Sequence, residues 1–404
     1  MRKMKDSGIA WIGAMPRAWK MNTIAQIFLQ VKCKNTGLQE KNLLSLSYGK
    51  VKRKSIDTVE GLLPESFDGY NIIEKDDIVL RLTDLQNDHT SLRVGLAEER
   101  GIITSAYLTI RNRSNFCPKY LYYYLHSFDI AKGFYGMGAG VRQGLNWDGV
   151  KWLKILAPSV PEQERIAAFL DAECAEIDAV LEKTRASIEE YKKLKQAVIT
   201  QAVTKGIRGD RPMKDSGIEW IGDIPAEWDY TKAKNCVNIQ NGSDPKTEGS
   251  IPVYGSGASS FKTCGEYKEG PSVLIGRKGA TLHIPHYIST KFWNVDTAFN
   301  VYAKPNFDLK FYFYCACSFD YRFYISQTTL PSMTQTAYEN MFLPLPSNDE
   351  QRAIASYLDN RCEEIDALIW KKQECLAEIE NYKKSLIYEY VTGKKEVKTS
   401  VLAD

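Results

Sequence analysis

The chain has 404 residues, 44% hydrophobic and 25% charged, with a mean hydropathy of −0.35 and a formal net charge of +3. That length predicts two or three domains, each with its own core; no apolar run approaches the roughly 18 residues that cross a bilayer, and no hydrophobic stretch follows the basic start MRKMKDSG, which excludes a secretory signal. Nine cysteines without a framework and only four histidines exclude a disulfide scaffold, speak against a zinc site and suggest a reducing cytoplasm.

In chain order, the first distinctive stretch is MKDSGIAWIGAMPRAWK, Met4 to Lys20. It returns from Met213 as MKDSGIEWIGDIPAEWD, identical at 11 of 17 positions with an offset of 209. Self-similarity of this kind is the mark of a duplicated architecture. After the first copy comes a mixed block with a net charge of +4 over 21–157. Strand-like runs there are Leu43 to Gly49, Ile78 to Leu82 and Ile103 to Arg111, followed by a helical, aromatic run Tyr120–Leu125. Its tyrosines read as core filler rather than as a base-stacking platform. The paired acids Asp76-Asp77 read as a solvated turn.

Polar loops punctuate these runs. Lys50, Lys52, Arg53 and Lys54 crowd one short segment after a strand, a pattern suited to phosphate contact. Arg81, Asp84, Gln86, Asn87, Asp88, His89 and Arg93 follow the strand IVLRL. Arg matches guanine, and Asn or Gln matches adenine, through paired hydrogen bonds, so this density suits reading base edges. Arg142 and Gln143 follow the flexible GMGAG.

From about 162 to 204 there is neither Gly nor Pro, the net charge is −3, and Ile177, Leu181, Ile188, Tyr191 and Val198 fall at the 4-3 spacing of a coiled-coil seam interrupted by Lys195. Some 43 residues at ~1.5 Å each predict a rod of roughly 64 Å. The acidic outer faces of such rods suit partner docking. After the second lead segment, a block with a net charge of +3 over 230–346 contains the strand SVLIG, Ser272 to Gly276. It also holds an aromatic helix over 311–314, Arg277 and Lys278 in a glycine-bounded turn, and Ser332, Thr334 and Gln335 before the last strand. A second acidic helix follows over 348–392, net −4. Its seam is Ile365, Ile369, Leu376, Ile379 and Leu386, with Lys372 and Lys383 in seam positions. It repeats the first at an offset of 188: PEQERIAAFLDAECAEIDAVLEK becomes DEQRAIASYLDNRCEEIDALIWK. Two amphipathic rods in one chain can bury their stripes against each other.

Catalytic signatures are missing. There is no phosphate-binding GxxxxGK[ST], dinucleotide fingerprint, Asn/Asp-Pro-Pro-aromatic motif, GxSxG or HExxH. A self-contained enzyme is disfavoured, and no cofactor or metal is expected on this chain.

The lead motif W-I-G-x-x-P-x-x-W, the helix motif EQ-x-x-I-A-x-x-L-D-x-x-x-x-x-I-D, the full duplication and the stretch RLTDLQNDHTSLRVG together resemble the specificity subunit of bacterial type I restriction-modification systems. The likeness spans nearly the whole chain. It implies an α+β fold, with two mixed target-recognition domains in pseudo-two-fold arrangement joined by two long antiparallel coiled-coil helices. The expected boundaries are 1–157 for the first recognition domain with lead segment 4–20, and 158–205 for the first helix. The linker, lead segment 213–229 and second recognition domain would occupy 206–346, the second helix 347–393, and a tail 394–404. It further implies a non-catalytic subunit that reads a split site in double-stranded DNA. Its partners would be two adenine-methyltransferase subunits and ATP-driven restriction and translocation subunits, which carry S-adenosylmethionine, ATP and Mg. No membrane is involved. The resemblance does not single out base-contacting residues; those named above rest on loop chemistry. DNA presents major-groove faces about 34 Å apart, a separation the predicted rod can span. A fused methylase-nuclease system and a coiled-coil adaptor without DNA are the alternatives. No third copy of the lead segment follows VTGKKEVK, so the first copy reads as its successor in a two-unit ring. A permutant opened near Arg208 is expected to function. Trp11, Trp19, Trp220 and Trp228 are expected to brace the blocks where helix ends meet them.

Overall fold

The computed structural model describes residues 2–55, 66–88, 90–137, 144–257, 259–321, 324 and 331–398. The chain divides into two units. One comprises Met1–Lys183 with Cys375–Asp404, the other Thr184–Glu374. Each unit therefore owns one lead segment, one α/β block, half of the first long helix (Val160–Lys205) and half of the second (Asn348–Val391).

In the first unit, a four-stranded antiparallel sheet runs in the order Phe28–Gln30, Leu108–Asn112, Ile78–Leu80, Val94–Leu96. Ile78, Leu80, Leu108 and Ile110 turn inward onto the helix Pro118–Ile130, whose first-turn proline fits a position that needs no N–H. Tyr120 and Tyr124 are fully buried there, and their hydroxyls donate to the carbonyls of Leu156 and Lys154, both at 3.0 Å. They are core, with their polar ends satisfied. The expected strand over 103–111 is two strands, Gly101–Ile103 and Leu108–Asn112. Between them Tyr107 N–H donates to Thr104 O in a turn. The expected cationic loop is a strand instead. Lys50–Arg53 pairs with Leu44–Ser47 across a two-residue turn, Tyr48-Gly49, with φ of 49° and 75°. Positive φ at both positions is the twist that closes a tight hairpin. Asp77, expected in water, is 1% exposed. It accepts a two-pronged bond from Arg111, 2.8 and 2.7 Å, and a backbone bond from Glu74.

The second unit repeats the sheet: Val237–Asn241, Ala298–Ala303, Ser272–Gly276, His286–Ile288. The helix Leu309–Ser318 packs on it through Phe311, Tyr312 and Cys315. A three-stranded sheet, Lys262–Cys264, Ile251–Tyr254, Trp293–Asn294, replaces the hairpin of the first unit.

The lead segments are small hairpins, Met4–Asp6 with Ala14–Pro16 and Met213–Asp215 with Asp223–Pro225. Each ends on a buried tryptophan clamped between two helix ends. Trp19 Nε1 donates to Glu162 at 3.1 Å, and Trp228 Nε1 to Glu350 at 2.8 Å, in the first turns of the long helices. The glutamate of each EQ motif also pairs with an arginine lying over the same indole: Arg2 with Glu162, Arg211 with Glu350. The glutamine is buried. Gln163 takes Cys117 N–H and donates to Pro158 O; Gln351 takes Asp308 N–H and donates to Pro346 O. The other helix end arrives through Gly393 beside Trp19 and Gly206 beside Trp228. Both have φ above 70°, and a Cβ there would collide with Pro16 and Trp19, or with Arg211. Trp11 and Trp220 are half-buried and meet Tyr124 and Phe128, or Phe319, edge-on. Among the described residues no helix is long and apolar enough to cross a membrane.

Candidate nucleic-acid interface

In both units the strand at the centre of the sheet runs out into a polar loop, and the chain returns to that point just before the last short helix. In the first unit Leu145 N–H donates to Leu82 O at 2.8 Å, and Asn146 caps the helix Trp147–Val150. In the second, Met333 N–H donates to Arg277 O at 2.9 Å, and Thr334 caps the helix Gln335–Asn340. Asn146 and Thr334 are 188 apart, the offset of the long helices.

This return brings the second-unit candidates together. Lys278 pairs with Ser332 as an isolated bridge, and Gly279 N–H donates to Pro331 O. Arg277 lies over the Phe299 ring, and Lys278 approaches Asp296 at 3.9 Å. Gln335 donates to Ile239 O and Glu339 and takes a bond from Asn241, so it ties the surface to the edge of the sheet. Thr334 spends its hydroxyl on the helix cap.

The first-unit candidates separate into two groups. Arg81, Gln86 and Asn87 share one loop. Arg81 lies 3.6 Å from Asp88, and Asn87 donates to Asp84 at 2.8 Å. Arg93 does not join them at the surface: its side chain is 0% exposed. Its guanidinium faces inward and donates to the carbonyls of Arg81, Thr83, Asp84 and Asp88. The expectation that Arg93 touches a base is corrected by this burial. Asp88 accepts from the Thr90 and Ser91 N–H groups, with Arg93 close by, and its carboxyl stays far below the usual range, led by its bonds to Ser91. His89, Arg142 and Gln143 lie outside the described residues.

The hairpin cations form the other group. Lys50 approaches Asp178 of the first long helix at 4.0 Å; Arg53 takes Glu99 in a two-pronged pair. Lys50 and Lys52 line a cleft with His126, Asp171, Asp178 and Lys383. Lys54 follows the hairpin strand, donating its N–H to Leu43 O. Sequence reasoning missed His126. It is buried, stacks on Tyr122 and has Nδ1 without a partner. Burial first, then Lys383, holds its pKa down to about 4. Its neighbour Asp129 is raised to about 6 by burial while it accepts Arg93 N–H at 2.6 Å.

Along the helices, Leu181, Ile188, Ile365 and Leu386 are buried, and Ile177, Tyr191, Val198, Ile369, Leu376 and Ile379 are half-buried. The lysines that interrupt the seam each reach the opposite helix. Lys383 pairs with Asp178 at 2.5 Å in the first unit. In the second, Lys195 pairs with Asp366 at 2.6 Å and Lys372 lies over Tyr191. Asp178 and Asp366, like Lys195 and Lys383, are 188 apart, so one ion pair occurs twice.

Residues 225–378 match the family model described as the type I restriction modification DNA specificity domain. A Methanocaldococcus jannaschii protein, curated provisionally as the type I restriction enzyme MjaX specificity subunit, is 23% identical over 424 aligned positions, covering 96% of each chain. The MjaVIII specificity subunit of the same organism is 25% identical over 278, covering 61% of this chain and 63% of its own. Among solved structures, the chain is similar to one from a study of complex assembly and conformational transition of the type I R-M system. The TM-score is 0.71 at 17% identity, covering 94% of this chain and 99% of that one. The HsdS subunit from Thermoanaerobacter tengcongensis matches with a TM-score of 0.50 at 16% identity, covering 94% and 98%.

Proposed function

We propose that the chain is a specificity subunit of a type I restriction-modification system and that it reads a bipartite sequence in double-stranded DNA, one half with each unit. The observation that carries this is the recurrence of one framework around two different polar loops. The same four-strand order and the same capped return frame Arg81, Gln86 and Asn87 in one unit, and Arg277, Lys278 and Ser332 in the other. A fixed framework with variable donors and acceptors is what reading two unrelated base strings requires.

The chain itself supplies position rather than chemistry. Two methyltransferase subunits, carrying S-adenosylmethionine, bind it and extrude an adenine from each half of the site, because the atom to be methylated is out of reach while the base stays stacked in the duplex. Restriction and translocation subunits join with ATP and Mg. The α/β blocks are the target-recognition domains, and the acidic outer faces of the two long helices carry the partners.

Exchanging residues 230–346 for the block of another member tests the reading. Methylated adenines mapped in cells holding the complete system should change in one half of the sequence only. Change in both halves would refute the assignment of one half to each unit.

A further inference from the structure

The first recognition loop is built around a buried cation. Arg93 sits on the strand Val94–Leu96's approach, 0% exposed, and each of its five N–H donors has an acceptor. Nη1 donates to Arg81 O at 3.0 Å and Thr83 O at 2.8 Å. Nη2 donates to Asp84 O at 3.4 Å and to Asp88 O. Nε donates to Tyr135 Oη at 3.0 Å, and that hydroxyl donates on to Asp88 O at 3.0 Å. Four carbonyls of the stretch 81–88 therefore point at one guanidinium. The backbone N–H of Arg93 is itself anchored on Asp129 at 2.6 Å. Asp84 takes φ of 57°, and Leu85, 1% exposed, pins the loop from within.

Burying a guanidinium is costly unless every donor is used, and a sheet core alone gives no reason to do it. What the arrangement gains is orientation. With its carbonyls drawn inward, the loop exposes Gln86 and Asn87. Resting on the DNA reading above, we infer that Arg93 is a positioning residue for sequence readout by the first unit: it fixes the loop 81–88 so that Arg81, Gln86 and Asn87 meet base edges in one geometry. Lysine cannot replace it. An ammonium has three donors radiating from one point, whereas the guanidinium spreads five in a plane.

The test uses the complete methyltransferase complex with duplexes altered by one base in either half of the site, the halves having been assigned by the 230–346 exchange. Arg93→Lys should cut discrimination against first-half substitutions by on the order of tenfold, about what one base contact carries. Discrimination in the second half should stay as it is, as should the slope of binding against salt, which counts phosphate contacts. Tyr135→Phe removes one prop and leaves the guanidinium, and should give a smaller loss in the same half. Undiminished discrimination in both variants overturns the inference. Equal loss in both halves also overturns it, because a residue needed only for folding would act so. A wild-type complex that prefers no sequence would instead remove the DNA reading beneath it.

Discussion

The two units solve one problem by different means. Around the first loop, carbonyls converge on a buried arginine, and the loop carries its own internal scaffold. The second unit builds its equivalent surface from main chain: Gly279 to Pro331, Met333 to Arg277, Lys278 against Ser332. It too draws a cation inward, but elsewhere, and there the side chain is only half-buried. Lys268 donates to Asn294 and Asn300, at 2.8 and 2.6 Å, and to Asn241 O, and burial lowers its pKa to about 8. The clamp, the order of the four-stranded sheet and the helix pair recur in both units, whereas the polar loops and the smaller sheets differ. A duplicated frame thus permits each unit's loops to change without disturbing the other's.

The strongest test of the shared part is the tryptophan clamp. Trp19→Ala and Trp228→Ala should each cost about 3–5 kcal/mol, the range for truncating a buried large aromatic. Both remove an indole that joins a glutamate at one helix start to a glycine at another helix end. Chemical unfolding of the assembled protein checks this. A large cost for one and almost none for the other would break the equivalence of the two clamps.

A second comparison is made by pH. His126 titrates near 4 in the folded first unit and near 6.5 when unfolded. As pH falls from 6.5 to 4, the unfolded chain takes a proton that the folded one refuses, so stability is lost across that window. Asp129 has the opposite sign: its folded pKa of about 6 lies above its ordinary 3.8, so stability is regained between 6 and 4. The two offset in the wild type. His126→Phe, which keeps a ring against Tyr122, should therefore gain on the wild type steadily from pH 6.5 to 4. In the second unit the window is alkaline. Lys268 costs stability below about 8, and that cost fades as pH rises to 10.5. The relative stability of Lys268→Met should therefore decline from pH 8 to 10.5. Flat differences in these windows would contradict the desolvation of both groups.

How much of this was legible in the sequence follows from range. The duplication, the long helices and the aromatic helices rest on spacing within a few turns or on offsets of 209 and 188, and these survive translation into structure, the long helices with shifts of a residue or two at their ends and the aromatic ones extended by two to five. Arg93 and Asp77 were misread because their partners are contributed by folding: loop carbonyls in one case, Arg111 in the other. Local polarity marks both as surface, and only the fold makes them interior. The hairpin cations lie on a strand rather than in the expected loop, because Tyr48 takes the positive φ usually left to Gly or Asn. The seam lysines looked like interruptions, yet a signal was present: Lys195 and Lys383 repeat at the same 188 as Asp178 and Asp366. Charges of opposite sign repeating together on antiparallel rods are the pattern a crossed ion pair leaves.

That repeated pair supplies the smallest and most discriminating prediction. Both pairs are partly exposed, so each contributes little, typically below about 1 kcal/mol. Their surroundings differ, however. Lys383 is 23% exposed, and Asp178 is also approached by Lys50. Asp178→Asn leaves two lysines converging with no carboxylate between them. Asp366 serves Lys195 in a more open setting, with 56% of its side chain in water. Asp178→Asn should therefore destabilise by about 1 kcal/mol and Asp366→Asn by roughly half that, read from urea midpoints at low salt. Raising the salt should shrink both effects, the second more completely, because screening reaches exposed charges first. Equal costs would mean that Lys50 adds nothing and that the two pairs are interchangeable. The reverse order would place the greater electrostatic demand in the second unit, where, among the described residues, no hairpin cation stands beside the Lys195–Asp366 pair.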